Sequence, residues 1–342
     1  MRRNTTIGII ANPVSARDIR RVIANANNLQ VADRVNIVLR VLASVRSCGI
    51  DRVLMMPDNG GIRAMLARSL ERERSLHRPF PQVTFLDMDV TSTVDDTFIA
   101  ARRLREAGVA AIVVLGGDGT HRAVARECGD VPIAGLSTGT NNAFPEMREP
   151  TITGLAVGLY ASGRLSAEQA LAPNKLLEVA INDGERRDIA LVDAVICAEP
   201  YIGARALWKT ESLRAIYVTY ADPEAIGMSA IAGLLHPVGR RDPGGLAVML
   251  GHDADDRRLV LQAPIAPGMV RPVDIAGWQP MAADVPFTVK QDTGIVALDG
   301  ERELEFAPGE RVTVTLRENA FHTVDVSRCM HVAAAAGLFR SP

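Results

Sequence analysis

Ala111-Ile112-Val113-Val114-Leu115-Gly116-Gly117-Asp118-Gly119-Thr120 is the stretch on which the fold turns. Its first half is short, rich in β-branched residues and bounded by glycine, the pattern of a strand buried on both faces. Its second half is a glycine-rich turn running into a helix. Working upstream, Ile7–Ile10, Val53–Met56 and Val83–Leu86 read as further strands, and Ile133–Leu136 as the next one downstream. Helical spacing fills the gaps over Asp33–Val45, Gly61–Leu76 and Thr91–Ala107, the last with Asp95 and Asp96 in its early turns and Gly108 as its stop. Strands separated by helices of this length predict a parallel sheet covered on both faces, a three-layer α/β domain.

Beyond about Lys175 the pattern changes. Strand-like runs follow one another at Leu176–Ile181, Asp188–Ile196, Leu213–Val218, Leu246–Leu250, Arg258–Gln262, Phe287–Val289, Ile295–Leu298 and Val312–Leu316. Turn signals punctuate them at Asn182-Asp183-Gly184, Pro243-Gly244-Gly245, Asp299-Gly300 and Pro308-Gly309. Ala225–Leu235 reads as an inserted helix, and Val332–Phe339 is apolar enough to dock as a short one. The expected division is an α/β domain over 1–165, an antiparallel β-sandwich-like domain over 166–320 and a docking segment over 321–342, with the active site in a cleft between the two domains.

The 342 residues carry 47% hydrophobic and 23% charged side chains with a formal net charge of −2, an ordinary globular composition. The absence of a basic excess argues against a nucleic-acid partner. No run is long and apolar enough for a membrane span. Cys48, Cys128, Cys197 and Cys329 are scattered, without metal-ligand spacing, as expected of reduced thiols, and a cytoplasmic location is expected.

In a parallel sheet the carboxyl ends of the strands border the ligand crevice. Gly116, Gly117 and Gly119 let backbone N–H groups approach phosphates, and the helix that follows favours negative charge. Asp118 beside such a site is costly unless it holds a metal ion or removes a proton, so it is the candidate catalytic group. The alternative is a tight strand-to-helix turn that merely needs glycine. Neither a Gly-x-x-x-x-Gly-Lys-Ser/Thr loop nor a Gly-x-Gly-x-x-Gly after the first strand is present, which removes the P-loop reading and takes from a hydride-transfer reading its main support. A second polar loop, Ser137-Thr138-Gly139-Thr140-Asn141-Asn142, follows the next strand and offers hydroxyls and amides to phosphate or sugar oxygens. His121, directly after the glycine turn, is read as a solvated helix position or a phosphate contact.

Gly116-Gly117-Asp118-Gly119-Thr120 is the signature of the superfamily containing NAD kinases, diacylglycerol kinases and sphingosine kinases. Asn12-Pro13-Val14-Ser15 resembles the Asn-Pro-x-Ser loop of its lipid-kinase branch, and Thr138–Phe144 that branch's Gly-Thr-x-Asn-Asp-Phe loop. Ala190–Ile196 resembles the NAD-kinase Ala-Leu-Asn-Asp/Glu-Val-Val strand, and Asp299-Gly300-Glu301 a late turn of both branches. Ala11–Arg21 and the asparagine-rich loop resemble the ATP-NAD-kinase-like group that includes acetoin-catabolism protein X. The resemblance implies a Rossmann-like first domain and an ATP-dependent, Mg²⁺-assisted transfer of phosphate to a hydroxyl of NAD or a related nucleoside or metabolite. It implies Asp118 as base and, through the phosphates, as a Mg²⁺-linked group. Asn12, Gly116, Gly117, Gly119, Thr120, Thr138, Gly139, Thr140, Asn141 and Asn142 would hold the nucleotide, and Asp193, Asp299 and Glu301 the acceptor. A homo-oligomer is also implied.

Two departures matter. Val192 replaces the asparagine of the Asn-Asp/Glu pair and cannot donate to an adenine nitrogen. Asp222–Ala230 keeps little of the NAD-kinase Thr-Pro-Thr-Gly-Ser-Thr-Ala-Tyr segment and lacks its tyrosine. A lipid kinase and a non-catalytic nucleotide-binding accessory protein of acetoin catabolism are the alternatives. The segment Tyr201–Lys209, with Trp208, is a candidate cover for the substrate.

Overall fold

Three buried apolar runs, Thr6–Ala11, Ile112–Gly116 and Ile133–Ser137, form the centre of the parallel sheet that the sequence predicts, with two shorter and more exposed strands, Arg52–Met55 and Gln82–Phe85, at its edge. The computed structural model describes residues 5–13, 29–138, 142–198, 210–251 and 256–340. Val14, Ser15, Gly139, Thr140, Asn141 and Tyr201–Lys209 therefore lie outside the described residues. The chain divides into two units. One holds the described residues up to Pro173 and those from Phe321 onward, and the other those from Asn174 to Ala320.

In the first unit β1 (Thr6–Ala11), α1 (Val31–Ser47), β2 (Arg52–Met55), α2 (Ile62–Ser75), β3 (Gln82–Phe85), α3 (Asp95–Glu106), β4 (Ile112–Gly116), α4 (Asp118–Glu127) and β5 (Ile133–Ser137) alternate along the chain. The strands lie in the order β3-β2-β1-β4-β5, every neighbouring pair parallel. All five residues of β4 are buried, and each fully buried aliphatic side chain there contributes about 1.5–3 kcal/mol. α1 turns Val35, Val38, Leu42 and Val45 inward, one apolar stripe at helical spacing. α5 (Pro150–Ala161) starts on a proline, with Glu149 accepting from Thr151 N and Ile152 N as its cap. The short α6 (Ala167–Ala170) follows.

The second unit is a sandwich. β6 (Leu171–Ile181) and β7 (Arg186–Ala190) form an antiparallel hairpin across the Asn182–Gly184 turn. β8 (Asp193–Cys197), β9 (Leu213–Val218), α7 (Met228–Leu235), β10 (Gly245–Leu250), β11 (Leu259–Ala266), β12 (Met269–Met281), β13 (Pro286–Thr288), β14 (Gly294–Leu298), β15 (Glu301–Phe306) and β16 (Val312–Val324) follow. Seven of these strands make an antiparallel sheet in the order β11-β12-β10-β9-β8-β14-β15. One face packs on α7 through Ile216, Val248, Ile231 and Val273. The other packs on β6, β7 and β16 through Val179, Tyr217, Val296 and Val314. The last residues of β16 return to the first unit, where Thr323 pairs in parallel with Ile133 of β5. α8 (Val326–Ala335) ends the described fold and buries Val326, Cys329 and Ala333 in the first unit's core.

Three expectations are corrected. The single strand expected over Asp188–Ile196 is two, β7 and β8, broken at Leu191-Val192 where no turn residue announces a break. β12 was not foreseen, because Pro272, Gly277 and Pro280 interrupt its alternation. β16 runs eight residues past Leu316 because Asn319 takes a left-handed conformation (φ 52°) inside it, a kink that a polar Arg-Glu-Asn run disguises as a strand end.

Candidate phosphate site and its polar anchors

The order β3-β2-β1-β4-β5 places a topological switch point between β1 and β4, whose chains continue to opposite sides of the sheet. Open parallel sheets bind ligands outside the strand ends at such a point. Here those ends carry Asn12-Pro13 after β1 and Gly116-Gly117-Asp118 after β4.

Two of the turn's three glycines have a steric reason. A Cβ on Gly116 would lie 2.5 Å from both Cβ and Oγ1 of Thr120, and one on Gly117 would lie 2.7 Å from Asn142 Oδ1. Gly117 is the N-cap of α4 and Asp118 its first helical residue, where the helix dipole favours a negative charge. Asp118 is buried, its two carboxylate oxygens accepting from Phe144 N at 2.8 Å and Ala143 N at 3.0 Å. The cost that the sequence assigns to this carboxylate is thus offset inside the protein: the acid ties the glycine turn to the loop after β5. That loop closes further through Asn142 Nδ2 donating to Ser137 Oγ at 2.9 Å and Thr138 N to Gly116 O at 3.3 Å. Thr120 Oγ1 is buried and has no hydrogen-bond partner among the described residues.

Asn12 is buried and its amide donates to Thr93 O at 2.9 Å and Thr97 Oγ1 at 3.1 Å, so both amide protons hold the start of α3. The buried Arg34 donates from Nη1 to Asn12 O at 3.1 Å. After β3, Asp96 accepts from Thr91 N, Thr91 Oγ1 and Ser92 N, each at 2.8 Å. After β2, Asp58 caps α2 through Ile62 N and Arg63 N. Arg34, Asp58, Thr93 and Thr97 were not singled out from the sequence, and Asp96 only as an acid in the first turns of a helix. Asp58 could have been, as an Asp-Asn-Gly-Gly run ahead of a helix signals a cap; a lone arginine on a helix carries no such signal.

His121 corrects its sequence reading. It is neither solvated nor turned toward a phosphate: its ring is fully buried, 5.8 Å from the Phe144 ring, with Nδ1 2.8 Å from Gly117 O. Burial pushes its pKa down to about 4, against which the bond to Gly117 O works only partly.

In the second unit Asp299, at φ 51°, accepts from Leu191 N, Val192 N (2.7 Å) and Asp193 N. Thr219 takes the other side of the same turn, donating from Oγ1 to Leu191 O at 2.7 Å. This pair breaks β7 from β8. Asp299 thereby anchors the Leu191–Asp193 turn. Val192 is buried in it, Asp193 opens β8 with a buried side chain, and Glu301 opens β15. Among the described residues no group of three or more His, Cys, Asp or Glu side chains is arranged to hold a metal ion, and no helix is long and apolar enough to cross a membrane.

Residues 7–164 match the family described as ATP-NAD kinase N-terminal domain, and residues 175–319 that described as acetoin catabolism protein X C-terminal domain. The chain is 64% identical over 338 residues to acetoin catabolism protein X of Cupriavidus necator (strain H16), covering 98% of this chain and 94% of the relative. It is 33% identical over 147 residues to an NAD kinase of Methanosarcina barkeri, 40% of this chain and 50% of that one. A provisionally named diacylglycerol kinase from Bacillus anthracis str. Sterne shares the fold, with a TM-score of 0.50 and 12% identity over 95% of this chain and 98% of that chain. With a relative this similar across nearly its whole length, the chain belongs to the acetoin catabolism protein X family.

Proposed function

We propose that the chain is an ATP-dependent small-molecule kinase of NAD-kinase type that transfers the γ-phosphoryl group to a hydroxyl of NAD or a related nucleoside or metabolite. The observation that carries this reading is the Gly116–Thr120 turn at the switch point between β1 and β4, with the N-terminus of α4 behind it. Gly116, Gly117, Gly119 and Thr120 would cradle the phosphates, joined by Thr138 and Asn142 of the second loop. Thr120 Oγ1, buried without a partner, is a hydroxyl suited to a phosphate oxygen. The contributions of Gly139, Thr140 and Asn141 rest on the resemblance alone, as do those of Asp193, Asp299 and Glu301 to the acceptor. Asn12 contributes by fixing the loop after β1.

In the reaction the acceptor oxygen attacks the γ-phosphorus, the bond to the β–γ bridging oxygen breaks, ADP leaves, and the hydroxyl proton passes to a base, the role proposed for Asp118. Mg²⁺ carried on the phosphates would offset the charge of the transferring group, with Asp118 linked to it through those phosphates. The four cysteines are buried, in keeping with the cytoplasmic location that belongs to this proposal. A homo-oligomer belongs to it through the resemblance.

One observation favours a second reading, a nucleotide-binding protein without turnover: both oxygens of Asp118 already accept backbone N–H groups. ADP release in the presence of ATP, Mg²⁺ and NAD or a panel of alcohols separates the two. The kinase reading expects release that falls about a hundredfold or more in Asp118→Asn. MgATP binding with no ADP release for any acceptor supports the second reading, and labelled phosphate appearing in diacylglycerol vesicles supports the lipid-kinase alternative.

A further inference from the structure

The carbonyl of Gly117 accepts twice. His121 N reaches it at 3.1 Å, the first turn of α4, and His121 Nδ1 reaches it at 2.8 Å. A carbonyl oxygen cannot donate, so Nδ1 carries the ring proton. There is no cis peptide bond among the described residues, so the N–H of Asp118 points opposite to the Gly117 carbonyl, out of the helix N-terminus. Holding the carbonyl down thus holds the N–H up. Building on the kinase reading above, we propose that His121 is a positioning residue. Its Nδ1–H fixes the Gly117–Asp118 peptide so that the Asp118 amide faces the nucleotide phosphate.

The ring is held from two sides. Phe144, whose own N–H binds Asp118 Oδ1 at 2.8 Å, lies beside it, and Phe321 backs Phe144 with ring centroids 5.7 Å apart. On the remaining side a Cβ at position 135 would come within 2.8 Å of Nε2, so only glycine leaves room. Nε2 is buried and has no hydrogen-bond partner among the described residues, so the peptide contact is the ring's polar purpose. The same side chain therefore touches both loops of the phosphate site. His331 on α8 makes the same back-bond to Ser327 O at 2.8 Å, but with an exposed ring where water competes. It is the internal control.

The test compares MgATP binding by titration calorimetry in the wild type, His121→Asn, His121→Phe and His331→Phe. The asparagine amide can replace Nδ1–H, whereas phenylalanine fills the space without a donor. His121→Phe is expected to weaken binding about tenfold, with His121→Asn within about threefold of wild type and His331→Phe unchanged. Equal binding by His121→Phe and wild type, or equal loss in both His121 variants, overturns the positioning role. If His121→Phe does not fold, ¹⁵N NMR of the wild-type imidazole decides: an Nε2–H tautomer refutes the proposal and an Nδ1–H tautomer upholds it. A wild-type chain that binds no MgATP sinks the kinase reading itself, an outcome distinct from a wild type that binds while His121 proves dispensable.

Discussion

Lowering the pH should destabilise this protein through His121 in a way that one substitution removes. The ring is fully buried, and burial holds its pKa at about 4 against a usual value of 6.5. The unfolded chain therefore takes up the proton first as pH falls, so stability is intact above pH 6.5 and is lost progressively toward about 4. At ~1.36 kcal/mol per unit the full separation amounts to about 3 kcal/mol, of which about 2 kcal/mol is lost by pH 5. His121→Asn keeps a donor to Gly117 O and does not titrate. Its stability should therefore fall less than the wild type's between pH 7.5 and pH 5, by that ~2 kcal/mol. Carboxylates common to both proteins cancel in the difference. Urea unfolding followed by far-UV circular dichroism at the two pH values measures it. Parallel losses in the two proteins, within about 0.5 kcal/mol, would show that the imidazole is not buried neutral and would refute the reasoning.

Gly116→Ala forces a methyl to within 2.5 Å of Thr120 and should cost about 1–3 kcal/mol in thermal unfolding, whereas a melting point unchanged from wild type would place Thr120 elsewhere. Asp299→Ala strands the N–H groups of Leu191, Val192 and Asp193; at about 1–3 kcal/mol for each buried unsatisfied group the second unit should lose several kcal/mol, and a variant that loses only acceptor affinity would leave Asp299 a binding role without the anchoring one. Thr97→Val removes one of two acceptors for the Asn12 amide and should cost about 1 kcal/mol, read by equilibrium denaturation. Lys175 Nζ donates to Gly239 O, Asp242 O and Gly244 O at 3.2, 2.8 and 2.7 Å; Lys175→Met should open the 239–244 loop to limited proteolysis, and equal resistance would show that the ammonium does not hold it.

The alternation of apolar runs with helical spacing in the first half, and the succession of turn-bounded runs in the second, was enough to predict an α/β unit followed by a β-sandwich. Both patterns follow from which faces a strand or helix must hide from water, and that is written residue by residue. The glycine turn was legible for the same reason, since its composition answers a local need. What the sequence could not reveal is where polar groups find partners far along the chain. Asp118 meets amides 25 and 26 positions away, Asn12 meets Thr97 85 positions away, and Asp299 meets a turn more than a hundred positions earlier. His121 reads as an ordinary surface histidine until Phe144 and Gly135 are seen around it. Hydrophobic burial is set by periodicity and so can be read locally. A buried polar group is instead set by whichever donor or acceptor the completed fold brings within about 3 Å of it, and only the tertiary structure decides that.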